Sequence, residues 1–257
     1  MDAGADLLES VRRCIEQEQP VALCTIVDGP ARIGEKLLLH ADGTYEGGVS
    51  STPALNAAIV DAAQAALRDG RSSTLPIAGH QVFVDAIMPD PRLVIVGAVH
   101  IAVALCRYAA QSGFSVTVID PRPALNSAER FADARTRLIG WPEDELPRLR
   151  FDENAYVAVL THDEKFDDPT LDYVLRRTPR YVGAIGSKKT QALRRARLQQ
   201  SGVDEVAISR LHAPIGLDIG AQTPEEIAIA ILAEIIAAKY GRQGMPLRDR
   251  LSERIHA

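Results

Sequence analysis

Four short apolar segments without polar alternation constrain the fold of this 257-residue chain more than any other feature. They read RLVIVG at 92–97, SVTVID at 115–120, YVAVLT at 156–161 and YVGAI at 181–185, and helical patterns separate them. Strands that are buried on both faces belong to parallel sheets whose connecting helices cover each side. The sequence therefore predicts a doubly wound, Rossmann-like α/β domain over residues 92–257.

A smaller α+β domain is predicted before it, over residues 1–88. Its elements read, in order, as a helix at 6–19, a strand at 21–27, a hairpin that turns at Ala41-Asp42-Gly43, a helix from Pro53 to Gly70 and a strand at 80–89. The two prolines of PDP at 89–91 continue neither a helix nor a strand, so we expect a linker there.

Composition and charge exclude several classes of function. The chain is 46% hydrophobic and 25% charged, which is typical of a soluble globular protein. A net charge of −5 argues against a nucleic-acid partner. There is no segment long enough to span a bilayer and no signal-peptide pattern, so we expect a cytoplasmic protein. The three cysteines lack C-x-x-C spacing, so we expect neither a disulfide framework nor a metal site, and Cys24 and Cys106 are predicted to be buried small side chains.

The turn at Gly97 approximates the dinucleotide-binding fingerprint G-x-G-x-x-G/A. Gly97 and Ala102 take the first and third positions, and Asp120 ends the next strand, where a ribose-binding acid is expected. Val99 replaces the middle glycine, and a positive φ there would disfavour valine. Two interpretations stay open: a purely structural turn, and a modified ligand site that has lost tight NAD(P) binding.

A second strand, turn and helix carries positive charge where a helix normally carries negative charge. Ser187 is the predicted N-cap, and Lys188 and Lys189 follow in the first turn. Cations oppose the helix dipole at this end unless an anion is bound there. The segment therefore predicts a phosphate-binding turn. The alternative is a solvated basic face, formed by Arg194, Arg195 and Arg197.

The last predicted helix, over 224–240, has a complete start signal of its own. Thr223 and Glu226 form a capping box around Pro224. This helix is apolar nearly all round, so we expect it in the core or against a second copy of the chain.

Three histidines are predicted at the carboxyl edge of the sheet. His162 lies between Thr161 and Asp163 after the third strand, His100 lies in the Gly97 turn, and His212 precedes a loop rich in turn-forming residues. Histidines at this edge can act as acids, bases or ligands. No two of them have the spacing of metal ligands, so we expect no metal site.

Taken together, these segments resemble the XdhC/CoxI accessory proteins of molybdenum hydroxylases. The segments LVIVGAVHIAVAL, VTVIDPR, VLTHDEKFDDPTL, YVGAIGSKKT and LHAPIGLDIGAQTPEEIAIAILAEI match, in order, the family's Rossmann-like C-terminal domain. The segment ARIGEKLLLHADGTYEGG matches the smaller domain more weakly.

The resemblance implies a cofactor chaperone rather than a turnover enzyme. Such a protein binds the molybdenum cofactor, a molybdopterin with or without a nucleotide, and assists its sulfuration. It then delivers the cofactor to a xanthine or carbon monoxide dehydrogenase-type apoenzyme, with a cysteine desulfurase as a further expected partner.

The candidate cofactor-binding residues share the ends of the predicted strands and the turns that follow them. They are Gly97, Ala98, Val99, His100, Asp120, Arg122, Thr161, His162, Asp163, Gly183, Gly186, Ser187, Lys188, Lys189, His212, Gly216, Asp218 and Gly220, together with Arg32 and Lys36 from the first domain.

Two departures from the family pattern leave alternatives open. The family's G-G-G-C-x-E corresponds to GGVSSTPAL at 47–55, which offers no thiolate, and its G-A-G-H corresponds to Gly97-Ala98-Val99-His100. We therefore weigh the chaperone against two alternatives, an NAD(P)-dependent oxidoreductase that uses Asp120 and an interaction scaffold without a ligand.

Overall fold

A computed structural model describes residues 3–48 and 53–249, and of residues 3–5 and 188 it describes the backbone alone. The chain divides after Asp90 into two units, and each has its own sheet and its own buried core. Within the described ranges, no helix is both long enough and apolar enough to cross a membrane.

The first unit is an antiparallel sheet with a helix on each face. Its elements are α1 (Ala3–Glu16), β1 (Val21–Asp28), β2 (Lys36–His40), β3 (Tyr45–Gly47), α2 (Pro53–Asp69), β4 (Ser73–Ile77) and β5 (His80–Ile87), and the strand order is β3-β2-β1-β5-β4. Helix α2 buries Leu55 and Ile59 against one face, and α1 buries Leu7 and Val11 against the other. The predicted hairpin is confirmed, since β2 pairs with β3.

The sequence did not indicate β4. This strand lies at the edge of the sheet and buries only Ile77, and it contains Pro76. A strand with one buried side chain and a proline lacks the apolar alternation by which strands are detected.

The second unit is built on a parallel sheet. Its elements are β6 (Arg92–Val96), α3 (His100–Gln111), β7 (Ser115–Ile119), β8 (Thr136–Leu138), α4 (Pro142–Glu145), a 3₁₀ turn (Leu146–Arg148), β9 (Ala155–Val159), α5 (Glu164–Leu175), β10 (Tyr181–Ala184), α6 (Lys188–Gln200), α7 (Glu205–Ser209), β11 (Leu211–His212) and α8 (Pro224–Lys239). Apolar cores lie on both faces: α3 and α8 cover one, and α5, α6 and α7 cover the other.

The strand order β11-β10-β9-β6-β7-β8 confirms the predicted Rossmann-like sheet. The chain enters at β6, continues outward through β7 and β8, and then crosses back to β9 on the other side of β6. In sheets of this kind, ligands bind beyond the carboxyl ends of the strands where the order reverses. In this protein that position lies between the ends of β6 and β9.

Both predicted helix starts are confirmed. Thr223 accepts a hydrogen bond from the N–H of Glu226, whose carboxylate closes the capping box, and Ser187 accepts one from the N–H of Thr190 at 3.2 Å. Helix α8 packs on α3 in the core of its own unit. The homodimer that its apolar surface suggested stays a prediction.

Cys24 and Cys106 are buried, as expected for small apolar side chains, and Cys14 is buried as well. Burial raises the pKa of Cys24 to about 12 and, with the nearby charge of Asp133, that of Cys106 to about 11. These thiols are therefore protonated and shielded.

Candidate functional site

The turn after β6 requires glycine at its first position. Gly97 has φ +102°, and a methyl group on it would collide with the side-chain methyl of Thr161. Thr161 is the second residue after the end of β9, so the two turns on either side of the strand-order reversal are in close contact. The crevice between β6 and β9 is thus closed at its base by Thr161.

Val99 fits the backbone of this turn without strain. Its φ of −78° and ψ of 176° are extended values, so the positive φ considered from the sequence does not occur. Valine adopts this conformation readily. Val99 packs partly against the core and caps α3 without any side-chain hydrogen bond.

Asp120 holds the turn from inside the protein. Its side chain is fully buried and accepts hydrogen bonds from the N–H of Ala98 at 2.7 Å and from the N–H and guanidinium of Arg122. Burial by itself would raise its pKa, but the hydrogen bonds from Arg122 and Ala98 outweigh it and lower the pKa. Both carboxylate oxygens are already engaged, which weighs against the ribose-binding role.

Arg122 extends across the end of β6. Its guanidinium carbon lies 5.5 Å from the centroid of the Phe166 ring, while two hydrogen bonds hold it to Asp120. Arg122 follows β7 and Phe166 belongs to the helix after β9, and β6 lies between those strands. The contact therefore bridges the crevice in which a dinucleotide would lie.

The alternative of a solvated basic face on α6 is wrong for Arg194. Arg194 is only 1% exposed, and its guanidinium donates to the carboxylate of Asp167 at 2.5 Å and to the carbonyl of Ile185 at 3.1 Å. Thr161 donates to the same carboxylate. The sequence did not indicate that Arg194 is buried, because the hundred-degree spacing of the arginines does not show which face of α6 packs against α5.

The other two arginines of α6 are also paired. Arg197 contacts Asp168 at 2.5 Å and Arg195 contacts Glu205. Burial raises the pKa of Asp167 against the opposing effect of Thr161 and Arg194. The buried pair connects the turn after β9 to the turn after β10.

The start of α6 is the one place on this helix where a described cation remains unpaired. Lys189 is exposed and has no ion-pair partner in the part of the chain that the structure describes. The first N–H groups of a helix also lack intrahelical partners. The predicted role of the Lys188 side chain lies outside what is described. Gly186, with φ +138°, forms the turn before Ser187.

The three histidines lie after β6, after β9 and at the end of β11. His100 and His162 are exposed, and Asp163 caps α5 by accepting from the N–H of Lys165 at 3.0 Å. Across residues 3–48 and 53–249, no group of three or more histidine, cysteine or acidic side chains could hold a metal ion.

His212 belongs to a partly buried network that sequence reasoning missed. Its Nδ1 lies 3.1 Å from the carboxylate of Glu234 on α8, which also accepts from the Tyr181 hydroxyl at 2.5 Å and the N–H of Gly216 at 2.8 Å. A methyl group on Gly183 would lie 2.6 Å from that hydroxyl. Glu234, the one carboxylate of α8 beyond its first turn, was the signal that could have revealed the network.

The ionisation states of this network follow from its contacts. Burial opposes the charge on Glu234, but the hydrogen bonds from His212, Tyr181 and Gly216 lower its pKa overall. Burial and the adjacent carboxylate raise the pKa of Tyr181. Glu234 is therefore the acceptor, and Tyr181 remains a donor.

We expect neutral His212 to carry its proton on Nδ1, because an ionised carboxylate can only accept hydrogen bonds. Long-range NMR correlations between the ring nitrogens and the carbon-bound ring protons measure this tautomer. Glu234→Ala should shift the population substantially towards the Nε2–H form. A wild-type ring protonated mainly on Nε2 would contradict the assignment.

The remaining candidates lie in the loop before α8 and in the first unit. Asp218 and Gly220 are exposed in the loop before α8, and Arg32 and Lys36 belong to the first unit. Lys36 donates to the Thr25 hydroxyl at 3.1 Å. From the end of β6 to the end of β11 is three strand spacings, roughly 14 Å. The candidates of the second unit therefore line an edge longer than one small head group, and their role as ligands stays a prediction.

Comparison with known proteins gives two family matches. The XdhC Rossmann domain matches residues 93–235, and the XdhC and CoxI family matches residues 14–77. One curated relative is a probable xanthine dehydrogenase subunit of Bacillus subtilis, which is 35% identical over 62% of this chain and 46% of its own length. Another is the molybdenum cofactor insertion chaperone PaoD of Escherichia coli, which is 27% identical over 60% of this chain and 42% of its own length.

A solved structure from Bacillus halodurans, described as a xanthine dehydrogenase, superposes with a TM-score of 0.69 at 26% identity, over 97% of this chain and 68% of that one. The chain spans less than half the length of the two curated relatives. The Rossmann-domain match alone covers more than half of the chain. The protein belongs to the XdhC/CoxI family.

Proposed function

We propose that this protein is an accessory factor that binds the molybdenum cofactor and takes part in its insertion into a xanthine dehydrogenase-type molybdenum enzyme. Family membership and the names of the relatives support this role. The observation that carries it is Lys189, an exposed cation at the N-terminus of α6, on a helix whose three described arginines are all paired.

The molybdopterin phosphate is the part of the cargo that fits this place. A helix N-terminus and an adjacent lysine together favour a dianionic group, because backbone N–H groups and the ammonium both point positive charge towards it. Ser187 already satisfies the N–H of Thr190, so the earlier N–H groups of the turn would meet the phosphate.

Sulfuration, in this proposal, takes place on the bound cofactor with sulfur from a cysteine desulfurase. The described thiols are buried, and 47–55, part of which lies outside the described residues, contains no cysteine. The chain would therefore hold and shield the cargo rather than carry sulfur itself. Arg32 and Lys36 stay predicted contacts.

The two alternatives make different predictions. An NAD(P)-dependent oxidoreductase would need Asp120 to release Arg122 or the Ala98 N–H, which costs about 1.5–3 kcal/mol for each charge-assisted hydrogen bond. A scaffold without a ligand would carry no cofactor at all.

Cofactor content tests the proposal. The protein is purified from a host that makes molybdenum cofactor, and the oxidised extract is examined for the fluorescent pterin derivative. We expect a stoichiometric signal, and Lys188→Ala/Lys189→Ala should lower cofactor affinity about tenfold or more, the equivalent of one lost charge-assisted contact.

Lys239→Ala is the matched control, since Lys239 lies at the other end of its helix, beside Phe114. It removes one lysine charge, against two in the double variant, and should leave the pterin signal unchanged. Absence of pterin from the wild-type protein, together with a saturable NADPH titration, would reverse the assignment.

A further inference from the structure

The only tryptophan of the chain lies near the carboxyl edge of the parallel sheet, and the fold does not bury it completely. Trp141 comes shortly after β8, and its ring centroid lies 5.0 Å from that of Phe166. The residue is nevertheless 42% exposed, and Ile139 beside it is 52% exposed. Large apolar side chains that stay exposed in one patch mark binding surfaces more often than packing.

Shared contacts locate this patch beside the Gly97 turn. The Phe166 ring that Trp141 contacts is also contacted by the guanidinium of Arg122. Asp120, which holds Arg122, accepts a hydrogen bond from the N–H of Ala98 in that turn.

Arg122 completes the patch. Its guanidinium lies over the Phe166 ring that Trp141 contacts, and its side chain is 48% exposed. An indole and a guanidinium are the two side-chain groups that stack best on flat heterocycles. Asp120 holds Arg122 by two hydrogen bonds, so the plane of the guanidinium is fixed before a ligand arrives.

We propose that Trp141 and Arg122 form a stacking subsite for a heteroaromatic ring, and that the pyrimidinone ring of the pterin occupies it. The inference rests on the proposed function for the identity of the ring. It adds the orientation of the cargo: the ring lies over the end of β6, and the phosphate extends along the edge towards the start of α6.

Two strand spacings separate the ends of β6 and β10, roughly 10 Å. That span matches a ligand with a ring at one end and a phosphate at the other. The contact between Arg122 and Phe166, which obstructs a dinucleotide, would thus provide the surface for a shorter ligand.

A pterin titration of the full chain tests the subsite. The probe is 6-hydroxymethylpterin, whose own fluorescence anisotropy reports binding in every variant, while quenching of Trp141 reports contact with the indole in the wild type. We expect saturable binding with quenching. Trp141→Leu should weaken binding about tenfold to hundredfold, as loss of one stacked ring does.

Two variants control for other effects of the substitution. Trp141→Phe keeps an aromatic face and should restore most of the affinity. Tyr240→Leu removes another half-exposed ring, at the far end of α8, and should change nothing.

Equal pterin affinity in the wild type and Trp141→Leu would overturn the subsite, as would binding that leaves Trp141 fluorescence unchanged or no binding at all. Cofactor content after purification is measured separately. Cofactor retained at wild-type level in Trp141→Leu would reject the subsite and leave the proposed function standing, whereas wild-type protein without cofactor would reject the function.

Discussion

Replacing Arg194 with methionine is expected to lower the free energy of unfolding by about 3–5 kcal/mol, the usual loss when one partner of a buried ion pair is removed. Asp167 is only 3% exposed at its side chain and would keep a charge with no cation beside it. The carbonyl of Ile185 would also lose one of its two donors and keep only the side-chain amide of Gln191, at 3.3 Å. Urea unfolding followed by Trp141 fluorescence measures the effect, because Trp141 and Arg194 belong to the same structural unit.

Two further variants isolate the cause. The double variant Asp167→Asn/Arg194→Met removes both charges and should recover much of the lost stability, because the unpaired buried charge is the main cost. Arg176→Met breaks an exposed pair with Asp172 and should cost no more than about 1 kcal/mol. An Arg194→Met protein as stable as wild type would show that the pair is not buried in solution.

Gly97→Ala is expected to destabilise the second unit by about 2–5 kcal/mol. A left-handed backbone costs an alanine about 1–2 kcal/mol, and forcing a methyl group against a packed neighbour adds about 1–3 kcal/mol. The neighbour is the Thr161 side chain, which bonds to Asp167 and cannot move freely. The same unfolding measurement applies.

Gly113→Ala separates the two contributions. Gly113 has φ +82°, and a methyl group on it would meet open space, so only the backbone cost of about 1–2 kcal/mol applies. If Gly97→Ala cost no more than Gly113→Ala, the close approach of the two turns would be refuted.

Much of the second unit was predictable from local pattern. Each of the four apolar runs became a parallel strand, because a strand buried on both faces needs a continuous apolar segment. Strands β8 and β11 were not predicted, since three and two residues at the sheet edges carry too little apolar pattern to detect.

The candidate site divides in the same way. Gly97, Thr161, Ser187 and His212 were assigned to the carboxyl edge correctly, because each comes at or just after the end of a strand. The solvated basic face was a wrong alternative, and the positive φ at Val99 does not occur. The burial of Arg194 and the backbone conformation of Val99 both depend on neighbours that are distant in sequence.

The sequence by itself determined the long buried strands, two helix starts and the edge at which the polar residues gather, since these follow from periodicity and capping over a few residues. Only the tertiary structure decided which partner each charge meets. Asp120 reaches Ala98, Arg194 reaches Asp167 across 27 positions, and Glu234 reaches Tyr181 across 53. Strand order and helix packing bring such pairs together, and neither can be detected from the periodicity of the sequence.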